Sequence, residues 1–342
     1  MSTSFLPAWL YTEPAIAQRE RERYASRLWH PLTASTALAD GQAQAFELLS
    51  LPILVTRWQG TLRCFVNRCP HRGVALQPPT DHAKPCRRLV CPYHGWTYDL
   101  AGQLLAAARE QDFVDPFERS DWPLPPLQCR ELGGLIWVAI GPDPLPLEQQ
   151  LDLVLQEAGA LFAHPRELLL RQGHILNCNW KIAHDNTLDD YHVAIAHPTT
   201  LHREQGPVRL YRHALSDHGT LLATPYGEAG EFLTFGLAPW THLLLWPDGR
   251  LALIHFPPVD LSHCSMEVWL LGDGALKPQA QAWMDEVQTF LAEDRRLVEA
   301  AQLAYATGLV PGPPHRLEQR ILQQQRLYSV LMDLDLDAIR SA

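Results

Sequence analysis

The stretch NRCPHRGVALQPPTDHAKPCRRLVCPYHGWTYD, residues 67–99, holds two cysteines and two histidines as a C-x-H pair and a C-x-x-H pair. A 19-residue spacer separates Cys69 and His71 from Cys91 and His94. Two neighbouring loops of a small β domain bring such pairs together. Thiolates and imidazoles at this spacing mean a structural zinc, or an iron–sulfur cluster with two Cys on one iron and two His on the other. The spacing alone leaves both open. Pro70 and Pro92 stiffen the two loops, Gly73 and Gly95 permit tight turns, and Trp96 can shield the site.

The surroundings of this stretch read as short strands. From about residue 46 to 140 the runs PILVTRW, TLRCFVN, WTYD and LIWVAI are punctuated by Gln59-Gly60, Ala101-Gly102 and Gly133-Gly134, the texture of a small all-β domain. Upstream, residues 13–30 have the pattern of a charged, partly amphipathic helix. Downstream, GPDPLP at 141–146 is the natural linker. Beyond it LLLRQGHILNCNWK suggests a strand leading into a helix, THLLLWPDGRLALIHFPP a hairpin around Asp248-Gly249, and CSMEVWLLG another strand. Pro278 opens a long helix to about 306, and 317–336 supplies a last one. The expectation is an α+β chain in three parts: an N-terminal helical segment (1–40) packing on the C-terminal domain, an all-β domain (41–143), and a domain with an antiparallel sheet faced by helices (144–342).

A chain of 342 residues, 46% hydrophobic and 19% charged, is long enough for two domains with their own cores. Its seven Cys, odd and scattered, fit metal ligands and core residues in a reducing compartment rather than a disulfide framework. A Cys64–Cys86 disulfide is disfavoured on the same ground, and Cys129, Cys178 and Cys264 read as core. No apolar run reaches the roughly 18 residues of a membrane span, and the N-terminus lacks the order of a signal peptide, so the expectation is a cytoplasmic protein without a membrane partner. The net charge of −10 excludes a generally basic nucleic-acid binder. Yet residues 57–88 carry seven basic side chains against Asp81 alone, either a solvated face or a docking patch for an acidic partner. There is no G-x-G-x-x-G and no P-loop.

A second constellation lies in NCNWKIAHDNTLDDYHVAIAHPTTLH, residues 177–202. Ile182, Asn186, Asp189, Val193 and Ala196 recur at helical spacing, which places Asn186 and Asp189 on the stripe facing the core. Buried carboxylates are costly without a partner. His192 follows Asp189 by three residues, and Pro198 forces His197 out of helical geometry, so both imidazoles can converge on one metal. In AWMDEVQTFLAEDRRLVEAAQ, residues 282–302, Asp294 falls on the apolar stripe while Glu293 is expected to point aside. Two His and one carboxylate form the facial triad of non-haem Fe(II) oxygenases.

CPHRG followed by CPYHGW resembles the Rieske [2Fe-2S] domain, over about residues 45–140, although the spacer is a few residues longer than usual there. The pattern Asp185-Asn186-x-x-Asp189-x-x-His192-x4-His197, with EDRRLVEAAQ, resembles the mononuclear-iron motif of Rieske non-haem iron oxygenases, the ring-hydroxylating and demethylating α subunits. The resemblance implies a helix-grip-like catalytic domain and a cluster held by Cys69, His71, Cys91 and His94. It further implies Fe(II) on His192, His197 and Asp294, and Asp189 bridging an iron-ligand His to a cluster His of a neighbouring subunit. Asn186 matches a position near the iron, and Asp185 stands where many relatives have Glu. Also implied are O₂ as co-substrate, a homotrimer or stacked trimers, and electrons from NAD(P)H through a separate reductase or ferredoxin component docking on the basic face. The small-molecule substrate is expected to be aromatic, hydroxylated or demethylated, with a quaternary ammonium compound as the alternative; carnitine-type members tend to carry Glu where this chain has Asp189. A non-catalytic electron carrier or zinc-stapled binding protein is the reading of another class. Tyr211, Phe232, Phe235, Trp240, Leu245, Trp246, Phe256 and Trp269 are candidates for pocket walls or core.

Overall fold

The computed structural model describes residues 4–309 and 311–335, the side chains of Arg203 and Glu204 apart. The outermost residues of the two terminal segments expected above, 1–3 and 336–342, lie outside the described residues, as does Val310. The chain divides into two compact units, one running from His30 to Pro142 and the other combining the residues up to Trp29 with those from Asp143 onward. GPDPLP therefore contains one boundary. The other falls at residue 30 rather than 40, because Trp29–Ala34 is a strand at the edge of the β unit, beside Leu135–Ala139.

The smaller unit is all β, with a seven-stranded sheet and a three-stranded one built from Leu89–Val90, Thr97–Tyr98 and Leu104–Ala106. Its hairpins follow from local chemistry. At Gly133-Gly134 both residues have positive φ, 65° and 73°, and Leu132 pairs directly with Leu135, a two-residue turn whose twist matches the flanking strands. The long spacer between the ligand pairs makes the two-residue strand Lys84–Pro85, which pairs with Gln42 and Ala43. Cys64 sits in a core cluster with Ile53, Val55 and Val138, whereas Cys86 packs against the cluster holding Cys69 and Cys91. Both thiols are free, as are the other five.

The larger unit is α+β. Six strands from Arg212 to Gly272 form an antiparallel meander, and Glu167–Leu176 closes the far edge on Cys264–Gly272. Thr241–Leu245 and Leu251–His255 are buried along their whole length, which fits their Leu-rich runs and leaves Thr241, His242 and His255 as buried polar side chains. The hairpin between them turns at Asp248-Gly249, where Asp248 Oδ1 accepts from the Arg250 amide at 3.0 Å and Gly249 takes φ 90°. Helices Trp180–Thr187, Ala280–Tyr305 and Gln319–Leu331 pack on this sheet. The long helix starts at Ala280, since Pro278 lies inside a preceding 3₁₀ turn, Gly274–Gln279. The N-terminal segment is a chain of short helical turns tied in by Glu20, whose buried carboxylate meets Lys181 Nζ at 2.5 Å and accepts from Trp180 Nε1 at 2.8 Å and the Tyr328 hydroxyl at 2.7 Å. Among the described residues no helix is long and apolar enough to cross a membrane.

Candidate functional site

In the β unit the two ligand loops are backbone copies of each other. Cys69 N–H donates to Val74 O at 2.8 Å and Gly73 N–H returns to Cys69 O at 2.8 Å; Cys91 N–H donates to Trp96 O at 2.8 Å and Gly95 N–H returns to Cys91 O at 3.0 Å. The fifth residue of each loop must take positive φ, 76° at Gly73 and 70° at Gly95, which is why both are glycine. Cys69 and Cys91 are 1% and 3% exposed, and Cys69 Sγ lies 3.6 Å from the Tyr98 hydroxyl. The His71 and His94 rings come within 4.5 Å, and Trp96 stacks on His71 at 5.0 Å, in the shielding role expected of it. His71 Nδ1 is buried with no hydrogen-bond partner among the described residues. Two buried thiols and two imidazoles, one with an orphaned nitrogen, fit a [2Fe-2S] group with mixed ligation.

In the larger unit Asn179 caps the Trp180–Thr187 helix by accepting from Lys181 N–H at 3.0 Å. The single helix expected through Ala196 does not form. The chain breaks after Thr187 because Asp189 Oδ1 takes the amides of Tyr191 (2.8 Å) and His192 (3.3 Å), a local hydrogen-bonding choice that competes with the helix. Asp190 is pulled away by Arg320 and His213. A short turn, Val193–Ala196, then carries His197 before Pro198. Asp189 accordingly lies beside the site rather than on a buried stripe, its Oδ2 3.3 Å from His192 Nδ1.

His192, His197 and Asp294 each offer a ligand atom within 4.8 Å of the others. The Nε2 atoms of the two imidazoles face each other at 3.1 Å, and Asp294 Oδ1 lies 2.9 Å from His197 Nε2 and 3.3 Å from His192 Nε2. Burial opposes protonation of His192, but Asp189 and Asp294 outweigh it and push its pKa up to about 10. His197 is likewise raised against its burial by Asp294 and Glu293. Burial would raise the Asp294 carboxyl, yet hydrogen bonds from both imidazoles and from Asn186 hold it below its ordinary value. Asn186 thus touches the Asp294 carboxylate. A set of two facing imidazoles and a carboxylate, drawn together where a cation would sit, fits a facial-triad metal.

Glu293 corrects the sequence expectation. It does not point aside: its Oε2 lies 2.7 Å from His197 Nδ1 and accepts from Thr200 Oγ1 at 2.8 Å. A carboxylate behind a ligand imidazole fixes tautomer and ring orientation. Asp190 pairs with Arg320, 130 residues away at 2.9 Å, a partnership that no local pattern in the sequence marks. Of the proposed pocket aromatics, Trp246 alone lines the large outer cleft, and Phe256 borders a small space next to Asp294. In the basic stretch Arg57 is spent on Glu131, at 2.6 Å.

The sequence matches the Rieske [2Fe-2S] domain over residues 28–118 and the ring hydroxylating alpha subunit catalytic domain over 163–333. The carnitine monooxygenase oxygenase subunit of Escherichia coli (strain K12) is 30% identical over 319 residues, 87% of this chain and 83% of that protein. Chloroplastic choline monooxygenase of Beta vulgaris is 34% identical over 204 residues, 56% of this chain and 42% of that protein. The quaternary ammonium Rieske monooxygenase CntA, solved with L-carnitine, superposes with a TM-score of 0.82 at 24% identity over 97% of this chain and 96% of its own, a likeness of fold. The chain therefore belongs to the alpha subunits of the Rieske non-haem iron oxygenases, terminal oxygenase components that join a [2Fe-2S] cluster to a mononuclear iron.

Proposed function

We propose that Cys69 and Cys91 hold one iron of the cluster and His71 and His94 the other, and that His192, His197 and Asp294 hold the mononuclear Fe(II). What supports the assignment is the convergence of three donors within 4.8 Å from a broken helix and a long helix about 100 residues apart. When bound, the cluster stores one electron and the Fe(II) binds and activates O₂. The chain's own residues do the positioning. Asp189 lies beside the outer nitrogen of His192, Glu293 holds that of His197, and Asn186 steadies Asp294.

The working form is a homotrimer or a stack of trimers, with Asp189 joining His192 to the cluster histidine of a neighbouring subunit. Electrons come from NAD(P)H through a separate reductase that docks at the basic surface around Arg68, Arg72, Arg87 and Arg88. The reaction is hydroxylation or oxidative demethylation of a small organic molecule. Its alternative substrate, a quaternary ammonium compound, is favoured by the carnitine and choline monooxygenases among the relatives.

Counting iron and acid-labile sulfide per chain on anaerobically purified protein, with an EPR spectrum after dithionite, tests the assignment. About three irons and two sulfides are expected, and Asp294→Ala should lose about one iron while keeping the Rieske signal. Zinc without sulfide, or an unchanged iron count in Asp294→Ala, would sink it.

A further inference from the structure

Beside the triad the larger unit holds two spaces that share Leu201 and Phe290. The outer cleft, about 740 Å³, carries Trp246, Trp283, Glu228 and Glu286. The inner cavity, about 50 Å³, reaches His192 and Asp294 and has room for only the reacting end of a molecule. Indole faces are where a quaternary ammonium group would be expected to settle. Here a cation already sits over each ring. The guanidinium of Arg250 lies 5.4 Å from the Trp246 ring centre and 5.3 Å from that of Trp283, and Asp248 tethers it at 2.8 Å.

The inner cavity is less hospitable still to a permanent cation. Three carboxylates line it and each is engaged. Asp294 faces the two imidazoles, Asp189 binds the amides of Tyr191 and His192, and Asp190 meets Arg320 Nη1 at 2.9 Å and His213 Nε2 at 2.8 Å. Arg320, 1% exposed, sets a guanidinium in the wall, and a bound Fe(II) adds positive charge. Phe290 is the one carbocyclic ring among the lining residues. A quaternary ammonium group can neither lose its charge nor donate a hydrogen bond, so it would have to compete with these cations and amides for carboxylates already paired.

His242, on the Thr241–Leu245 strand, sets the opposite preference. It lines the inner cavity at 6% exposure, and its Nδ1 is buried without a hydrogen-bond partner among the described residues. Burial, reinforced by Arg320, keeps the imidazole neutral, so it offers one donor and one acceptor. We propose that the inner cavity selects a neutral, oxygen-bearing group hydrogen-bonded by His242 and excludes a quaternary ammonium headgroup. This rests on the reading of His192, His197 and Asp294 as the iron site, and it decides between the two substrate readings above.

The test is anaerobic calorimetric titration of the full-length, iron-loaded protein with benzyltrimethylammonium and with 2-methyl-1-phenylpropan-2-ol, a neutral molecule of nearly the same shape in which a hydroxyl replaces one methyl of the headgroup. The alcohol is expected to bind at least about tenfold more tightly, and His242→Leu to weaken it about five- to tenfold without changing the ammonium compound, the effect of one lost hydrogen bond. His242→Gln, which keeps a donor and an acceptor, should retain most of the affinity and guards against a folding defect in the leucine variant. Benzyltrimethylammonium binding as tightly as the alcohol, no effect of His242→Leu, or binding of neither probe at millimolar concentration would each overturn the proposal. Iron, sulfide and EPR signal on the same preparations report separately whether the iron-site reading itself has failed.

Discussion

Glu293 Oε2 lies 2.7 Å from His197 Nδ1, so the next residue along the helix, Asp294, and Glu293 itself grip opposite nitrogens of one buried imidazole. A carboxylate that holds the Nδ1 proton would leave an unprotonated Nε2 for the iron proposed above. Glu293→Ala should weaken Fe(II) or Co(II) binding about 10- to 100-fold, with Glu293→Gln intermediate, while leaving the cluster untouched. Titration of the iron-depleted site with Co(II), followed by its visible absorption, would read this; equal affinity in all three proteins would show that Glu293 is only a surface acid.

Asp189 touches His192 from the side away from Asp294, with its Oδ2 3.3 Å from Nδ1. Replacing it by Asn keeps the shape and removes the charge. Both metal sites should remain filled in Asp189→Asn, yet substrate-dependent reoxidation of the dithionite-reduced cluster should slow by about 10- to 100-fold, the range for groups acting through a metal ligand. Stopped-flow absorbance of the cluster separates this from simple loss of iron.

Asp185 is half-buried, and its Oδ2 accepts from the Tyr11 hydroxyl at 3.0 Å and Gln325 Nε2 at 2.8 Å. Burial dominates over these bonds and lifts its pKa to about 7. The folded protein therefore keeps this proton up to about 7, whereas the unfolded chain releases it near about 3.9. Its contribution to stability is complete below the lower value and is lost as pH rises to the upper one. Asp185→Asn, neutral throughout, should gain in melting temperature relative to wild type as pH rises from about 5 to 8. A constant difference across that range would mean that Asp185 is ionised in the fold.

Gly236 supports the break in the site-bearing helix. A Cβ there would lie 2.3 Å from Leu188 Cδ2 and 2.6 Å from Thr220 Oγ1. Leu188 is buried immediately ahead of Asp189, so it has little room to yield. Gly236→Ala should cost about 1–3 kcal/mol in urea unfolding. An unchanged midpoint would show that the neighbouring loop adapts.

Much of this was legible along the chain because it rests on short-range chemistry. The turn at Gly133-Gly134 and the hairpin at Asp248-Gly249 are set by residues adjacent in sequence. The paired loops around Cys69 and Cys91 repeat one local backbone pattern, and His192, His197 and Asp294 stood out as metal-binding types at unusual positions. Helical spacing misled at Leu188–His192, where Asp189 prefers local amides and Asp190 prefers Arg320, 130 residues away. Separation in sequence likewise hid the partner of Glu293, 96 residues away, and nothing local marks the His242 nitrogen left without a partner among the described residues. Residue type and local turn geometry belong to the sequence. Which carboxylate is spent on which cation, and which polar atom is left over, is decided only when the sheet and its helices bring distant side chains into one buried space, because there each charge must find a partner or go without.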